Sequence, residues 1–230
     1  MRILIIANGD PPDAATAQRL ALQSDAIIAA DGAFYKAIRL GLQPDYVTGD
    51  LDSISINDVM TAYPELRVIP TPDQERADLE KAIYVATEMG ATSITVIGAL
   101  GGRMDHTIAN LALLSSIHTE VPVGLADSYG ITRYISAVGE GGNERPTALD
   151  LSTAIGDTVS LVTMHQNTIV TITGVKWPLR DYALRPGTQG VSNVALSDHV
   201  LVTVERGALY VSHLAEVNLA DIPTDDLSPH

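Results

Sequence analysis

Short apolar runs alternate with amphipathic ones through the first half of the chain, and that alternation stops in the second half. The apolar runs fall at 2–8 (RILIIAN), 26–31 (AIIAAD), 46–50 (YVTGD), 66–70 (LRVIP), 93–99 (SITVIGA) and 121–127 (VPVGLAD). Helix-period patterns fill the gaps at 14–22, 33–40, 79–89 and 106–117; in the third, Leu79, Ala82, Ile83, Ala86 and Met89 mark one face. Strands that are apolar throughout and alternate with helices predict a parallel sheet covered on both faces, a Rossmann-like α/β fold. From 157 onward the runs 157–164, 168–175, 190–196, 199–207 and 208–215 are short, rich in Thr and Val, and carry no helical pattern. They predict an antiparallel sandwich or barrel. The stretch 139–147 (GEGGNERPT) has linker character, so the expected domains are 1–138 and 147–230, the second ending in an acidic tail.

Composition narrows the chemistry. Apolar residues make up 46% of the 230 and charged residues 18%, enough for a sizeable core. The chain contains no cysteine, which excludes disulfides, thiolate metal sites and a cysteine nucleophile. Its 28 acidic against 14 basic residues give a net charge of −14, which argues against nucleic acid as a partner. The apolar start is too short for a signal peptide and no later run is long enough to span a bilayer, so the expectation is a cytoplasmic protein without a membrane partner.

The informative acids are those at strand ends. In a parallel sheet, ligands bind beyond the carboxyl ends of the strands. Asp31 ends the second expected strand, Asp50 ends the third with Asp52 two residues on, Asp78 follows the fourth and Asp105 follows the fifth. Each has a plainer explanation: Asp78 and Asp105 stand where helix N-caps belong, and Asp31 before Gly32 suits a turn. Together on one rim, however, carboxylates repel unless a cation sits among them, and hard oxygen donors in loops suit Mg²⁺. Mg²⁺ held by few carboxylates completes its shell with water and phosphate oxygens, so a nucleotide or polyphosphate is the expected ligand. No Gly-x-x-x-x-Gly-Lys-Ser/Thr or His-Glu-x-x-His motif occurs, and GALGG is a weak match to a dinucleotide fingerprint. Asp-x-Asp after a strand also occurs in sugar transferases and in phosphatases with an aspartate nucleophile, though neither class requires the other three acids.

The segments DGA (31–33), PDYVTGDLDSI (44–54), TPDQERADLEKA (71–82), GALGGRMDH (98–106), GVKWPL (174–179) and GTQGVSN (187–193) resemble, in order, the thiamine pyrophosphokinase family. The resemblance implies a catalytic α/β domain followed by a β-sandwich, acting as a homodimer with sites at the interface. It implies Mg²⁺-dependent transfer of a diphosphoryl group from ATP to the thiamine hydroxyl, releasing AMP. Carried over by position, Asp50, Asp52, Asp78 and Asp105 are the expected metal ligands and, with Arg103, the catalytic set. Asp31, Gly32, Gln74, Gly101, Gly102 and Arg103 fall at nucleotide-binding positions, and Arg103 is the candidate for neutralising the transferred group. Trp177, Ser192 and Asn193 match the thiamine-contacting segment; a lone tryptophan is otherwise a sandwich-core residue, and Ser192 and Asn193 otherwise turn residues. Two positions depart from the family pattern: Leu51 stands where Phe is frequent, and Ala77 where a Thr hydroxyl is expected. A diphosphokinase for another alcohol, such as a hydroxymethylpterin, would keep the acidic rim but not GVKWPL, and a non-catalytic nucleotide or thiamine sensor would tolerate missing acids.

Overall fold

A computed structural model describes residues 1–50, 55–73, 75–117, 121–137 and 145–215. The chain divides into two compact units, Met1–Ser128 and Tyr129–His230.

The first unit carries strands β1 (Arg2–Ile6), β2 (Ala26–Ala30), β3 (Tyr46–Gly49), β4 (Arg67–Pro70), β5 (Ser93–Ile97) and β6 (Val123–Ala126). Helices α1 (Ala14–Leu22), α2 (Phe34–Arg39), α3 (Ile56–Ala62), α4 (Asp78–Glu88) and α5 (Met104–Ser116) lie between them. The strands run in the order β6-β5-β1-β2-β3-β4 with every pairing parallel. All five residues of β5 are buried, as are Ile3 to Ile6 of β1, which is why these strands read as unbroken apolar runs. The chain proceeds from β1 outward to β4, then returns to place β5 on the other side of β1. Loops after β1 and β5 therefore diverge, and that reversal is where open α/β sheets form a ligand crevice.

The crevice walls come very close together. Ala7 N–H donates to Ile97 O at 2.8 Å and Gly9 N–H to Gly98 O at 2.7 Å, extending the pairing past both strand ends. Gly98 has φ +71°, and a Cβ there would run into the Ala7 carbonyl, so only glycine allows this approach. Helix α1 begins on Asp13, whose carboxylate accepts the Thr16 N–H at 3.0 Å and the Thr16 hydroxyl at 2.9 Å. Helix α4 buries Leu79, Ala82, Ile83 and Ala86 of the expected face, and Lys81 and Val85 as well, while Met89 is the C-cap and only half-buried. Helix α3 is absent from the sequence expectation. Its segment INDVMTA is rich in poor helix formers and has no side-chain cap, yet Val59 packs with Ala29, Phe34, Val47 and Leu66. Packing overrides weak propensity there.

The second unit is all β among its described residues: β7 (Gly130–Ser136), β8 (Thr147–Ser152), β9 (Thr158–Val162), β10 (Thr168–Thr173), β11 (Leu179–Leu184), β12 (Gly190–Val194), β13 (His199–Arg206) and β14 (Ala208–Leu214). They form two antiparallel sets, β12-β9-β14-β7 and β11-β10-β13-β8. Alternation decides which side chains face inward: Val200, Val202 and Val204 are fully buried, whereas Leu201 between them is 42% exposed. Inward residues of both sets, including Ile135, Leu149, Leu151, Leu161, Val170, Ile172 and Val211, form one core, as expected of a β-sandwich. Strand β7, inside the 1–138 stretch assigned on sequence to the first domain, pairs with β14 from Gly130↔Leu214 to Ser136↔Ala208 and falls in the second unit. No change in composition marks that point. Residues 139–144 of the expected linker, and residue 138 before it, lie outside the described residues. No helix among the described residues is long and apolar enough to cross a membrane.

Leu151 is fully buried in the sandwich core. Leu151→Ala is expected to destabilise the second unit by about 3 kcal/mol, from lost transfer energy plus a residual cavity. Denaturant unfolding followed by fluorescence of Trp177, the single tryptophan, reads that unit directly.

Candidate active site

Because the first-unit strands are parallel, their carboxyl ends share one edge, and the expected acids can be followed along it. Asp31 opens a single 3-10 turn, Asp31–Ala33, directly behind β2 and is 1% exposed. Gly49, the last residue of β3, has φ +154°, and a Cβ on it would stand 2.5 Å from the Asp31 Cβ. Glycine at 49 thus lets the buried carboxylate tuck against the end of β3, with exposed Asp50 as the very next residue. The Asp31 side chain and the backbone leading into Asp50 are brought together in this way. Asp52 and Gln74 lie outside the described residues.

Asp78 and Asp105 are not helix caps. The cap positions are Ala77 and Arg103, neither making a side-chain cap bond, and the two aspartates fall inside the first turn of α4 and α5. A carboxylate there is favoured by the helix dipole. Each also has a cationic partner. Lys81 Nζ, on a side chain only 4% exposed, lies 3.3 Å from Asp78 Oδ1. Arg103 grips Asp105 with both arms, Nε to Oδ1 at 3.1 Å and Nη2 to Oδ2 at 2.5 Å. The hydrogen bonds from Arg103 hold the Asp105 carboxyl below the usual carboxylate range, and the same contact raises the guanidinium. Asp105, expected as a metal ligand, thus has both oxygens engaged by Arg103, a bidentate geometry that aims the guanidinium.

The loop from Gly98 to Arg103 is fastened to α5 by the Thr107 hydroxyl on Gly101 O at 3.1 Å and by Asn110 Nδ2 on Ala99 O at 2.7 Å. Asp10, from the loop after β1, lies across this segment: a Cβ built on Gly101 would be 3.0 Å from its carboxylate, and one on Gly102 3.5 Å. Asp10 was missed on sequence, although NGDPP directly behind the first strand was a legible turn signal. Lys81 was missed because it sits among the apolar positions of α4.

The rim can be judged as a cation site from its donors. Among the described residues no group of three His, Asp or Glu side chains converges on one point. Mg²⁺ needs only one or two carboxylates when phosphate and water complete its octahedron, and hard oxygens are the right donor type. Asp31 and Asp50 meet that requirement, so the residues present fit the ion.

In the second unit, Trp177 and Asn193 are bound reciprocally. Trp177 N–H donates to Asn193 Oδ1 at 3.1 Å, and Asn193 Nδ2 donates to Trp177 O at 2.7 Å. Asn193 is buried, while the Trp177 indole is 54% exposed, so Trp177 is not a core residue. Lys176 Nζ lies 4.7 Å from the indole centroid. Ser192, beside Asn193, is held at φ +64°, uncommon for a residue with a Cβ, and its N–H donates to Ser160 Oγ at 3.0 Å. Ser160 was missed: nothing in a Thr/Val-rich strand distinguishes it.

Two family models match the chain: "Thiamin pyrophosphokinase, catalytic domain" over residues 17–125 and "Thiamin pyrophosphokinase, vitamin B1 binding domain" over 147–209. The chain belongs to the thiamine pyrophosphokinase family. Members of this family are transferases. Thiamin pyrophosphokinase 1 of Caenorhabditis elegans is 28% identical over 197 residues, 80% of this chain and 77% of that one. Thiamine pyrophosphokinase 1 of Arabidopsis thaliana is 41% identical over 87 residues, 34% of this chain and 32% of the plant protein. Among solved structures, the thiamine pyrophosphokinase of Bacillus subtilis superposes with a TM-score of 0.75 at 23% identity, covering 94% of this chain and 99% of that one. The yeast enzyme gives 0.64 at 18% identity, covering 96% and 87%. At such identities the structural likeness speaks for the fold, which agrees with the α/β unit and β-sandwich described above.

Because the folded pKa of Asp105 lies below its unfolded value, the pair with Arg103 is complete above the ordinary carboxylate range and is lost as pH falls through the lowered value. A ¹³C NMR titration is expected to place the Asp105 midpoint below the ~3.9 of an ordinary aspartate, and Arg103→Ala to return it there. An unchanged midpoint in the variant would show that the guanidinium does not hold the carboxyl.

Proposed function

We propose that the chain transfers a diphosphoryl group from ATP to the hydroxyl of thiamine, giving thiamine diphosphate and AMP. The observation that carries this reading is the Asp31–Asp50 pair at the carboxyl ends of β2 and β3, in a chain of this family. Asp50 and Asp52 would hold Mg²⁺, with Asp31 packed against Gly49 and Asp78 on the same edge. Such an ion, when bound, neutralises phosphate charge and strengthens the β-phosphorus as an electrophile. Gln74, Gly32 and the Gly101–Gly102 segment are the remaining nucleotide-binding positions.

Phosphoryl transfer is mostly positioning and charge stabilisation, and the chain's own groups suit both tasks. Arg103 presents a fixed guanidinium to the transferred group, and Asp105 holds it there, a positioning role in place of direct metal ligation. The thiamine oxygen forms its bond to the β-phosphorus as the bond to the α-phosphate bridging oxygen breaks. Its proton passes to a carboxylate of the rim or to water, and AMP leaves with the electron pair of the broken bond. In the second unit the exposed Trp177 indole offers a face to the planar, cationic acceptor. Asn193 fixes the Trp177 main chain, and the exposed Ser192 precedes Asn193 in β12. The homodimer implied by the resemblance is supported by apolar side chains left exposed on α5, Met104 at 70% and Ile108 at 59%.

Purified protein incubated with ATP, Mg²⁺ and thiamine is expected to release AMP and thiamine diphosphate in equal amounts, identified by chromatography and mass spectrometry. ADP with thiamine monophosphate would assign a different transfer, and no product with retained thiamine binding would assign a sensor. Titration with thiamine is expected to quench Trp177 fluorescence; an unchanged spectrum at saturating thiamine would remove Trp177 from the acceptor site.

A further inference from the structure

Lys36 does not belong to any of the motifs above, yet it joins the two sides of the first-unit crevice. It lies on α2, just after the turn that presents Asp31 and Gly32, and its side chain is half-buried. Its Nζ donates to two successive carbonyls of the loop behind β1, Asn8 O in a very short contact and Gly9 O at 2.9 Å. The same loop is gripped a second time from this side, because the Asn8 side chain packs over Gly32: a Cβ there would stand 2.6 Å from Asn8 Nδ2. On its far side Gly9 N–H bonds Gly98 O at 2.7 Å, and the next residue, Asp10, lies against Gly101 and Gly102.

One ammonium therefore fixes a chain of contacts running from the Asp31–Gly32 turn, through Asn8–Gly9–Asp10, to the Gly98–Arg103 loop. Two adjacent carbonyls turned toward one point would repel each other and any approaching phosphate. A lysine at that point neutralises both. Methionine would fill the same space but leave two carbonyl oxygens directed at the nucleotide's path.

We infer that Lys36 is a positioning residue for the nucleotide polyphosphate, locking the loop behind β1 so that the crevice between β1 and β5 accepts an anionic ligand. The inference rests on ATP being the diphosphoryl donor. Lys36→Met and Lys36→Arg are compared with the unmodified protein by steady-state kinetics, varying ATP and thiamine separately at fixed Mg²⁺, and by calorimetric titration with Mg-ATP alone. Loss of a charge-assisted contact predicts that Lys36→Met raises both the ATP KM and the Mg-ATP Kd about tenfold. Thiamine KM is expected to stay within about twofold, and Lys36→Arg, which can still donate to both carbonyls, to recover most of the loss. An ATP KM and Kd unchanged in a folded Lys36→Met variant would overturn the inference. So would equal rises in both substrates' KM, which would indicate a general loss of structure. If the unmodified protein itself neither binds nor turns over Mg-ATP, the donor assignment fails first and this inference falls with it. Normal behaviour of the unmodified protein beside an indifferent Lys36→Met variant isolates failure of the inference alone.

Discussion

The first unit depends on the parallel contact between β1 and β5. Because the chain builds β1 to β4 in one direction before returning for β5, the two central strands send their loops apart from a shared end. The contact continues past the strands through Ala7 to Ile97 and Gly9 to Gly98, so the crevice floor is a hydrogen-bonded ladder. That ladder tolerates no Cβ at residue 98, where φ is +71° and the Ala7 carbonyl occupies the space. Each rim group is measured from this fixed line: the Asp31 turn one strand outward, Asp50 two, and the loop carrying Arg103 directly above it.

An acidic rim on a chain of net charge −14 raises the question of how each carboxylate is tolerated. The structure answers unevenly. Asp78 borrows a nearly buried lysine, Asp105 an exposed arginine, and Asp13 the first turn of α1. The Arg103–Asp105 pair is solvent-exposed on both sides, so as a source of stability it is worth little. Its bidentate form is better understood as orientation, since a free arginine at a loop–helix junction would sample many rotamers. Asp31 and Asp50 differ from these: one is buried against glycine, the other exposed one residue beyond it. The partnered acids hold the charge of the rim in balance around these two.

Which parts of this were legible in the sequence follows from what each residue does. Unbroken apolar runs gave β1, β2, β3, β5 and β6, because a strand buried on both faces has no alternative composition, and Asp31 and Asp50 were visible as acids at the ends of such runs. Helix α3 was not, since among its described side chains Val59 is the one buried anchor, in a run of poor helix formers. Strand β11 carries Arg180, Asp181 and Tyr182 on exposed positions and breaks register against β10 between Val170 and Ile172, so no alternation survives to be read. Strand β7 hides a buried Arg133 between Ile131 and Ile135. Side-chain partnerships were least legible. Asp78 and Asp105 suited N-caps by position, but the caps fell one and two residues earlier, leaving the carboxylates to Lys81 and Arg103.

Trp177 shows the same limit from the other direction. By composition a lone tryptophan in a sandwich belongs in the core, and here the core is filled by Val, Ile and Leu while the indole is exposed. What holds it is a buried asparagine that satisfies both main-chain groups of Trp177 from the neighbouring strand. The adjacent Ser192 is kept in a left-handed conformation by Ser160, a cost that a turn residue could have avoided by being glycine or asparagine. A serine nonetheless stands there, against backbone preference, and is exposed. The second unit thus fixes its polar and aromatic groups through main-chain bonds before any ligand arrives, as the first unit does with its glycines.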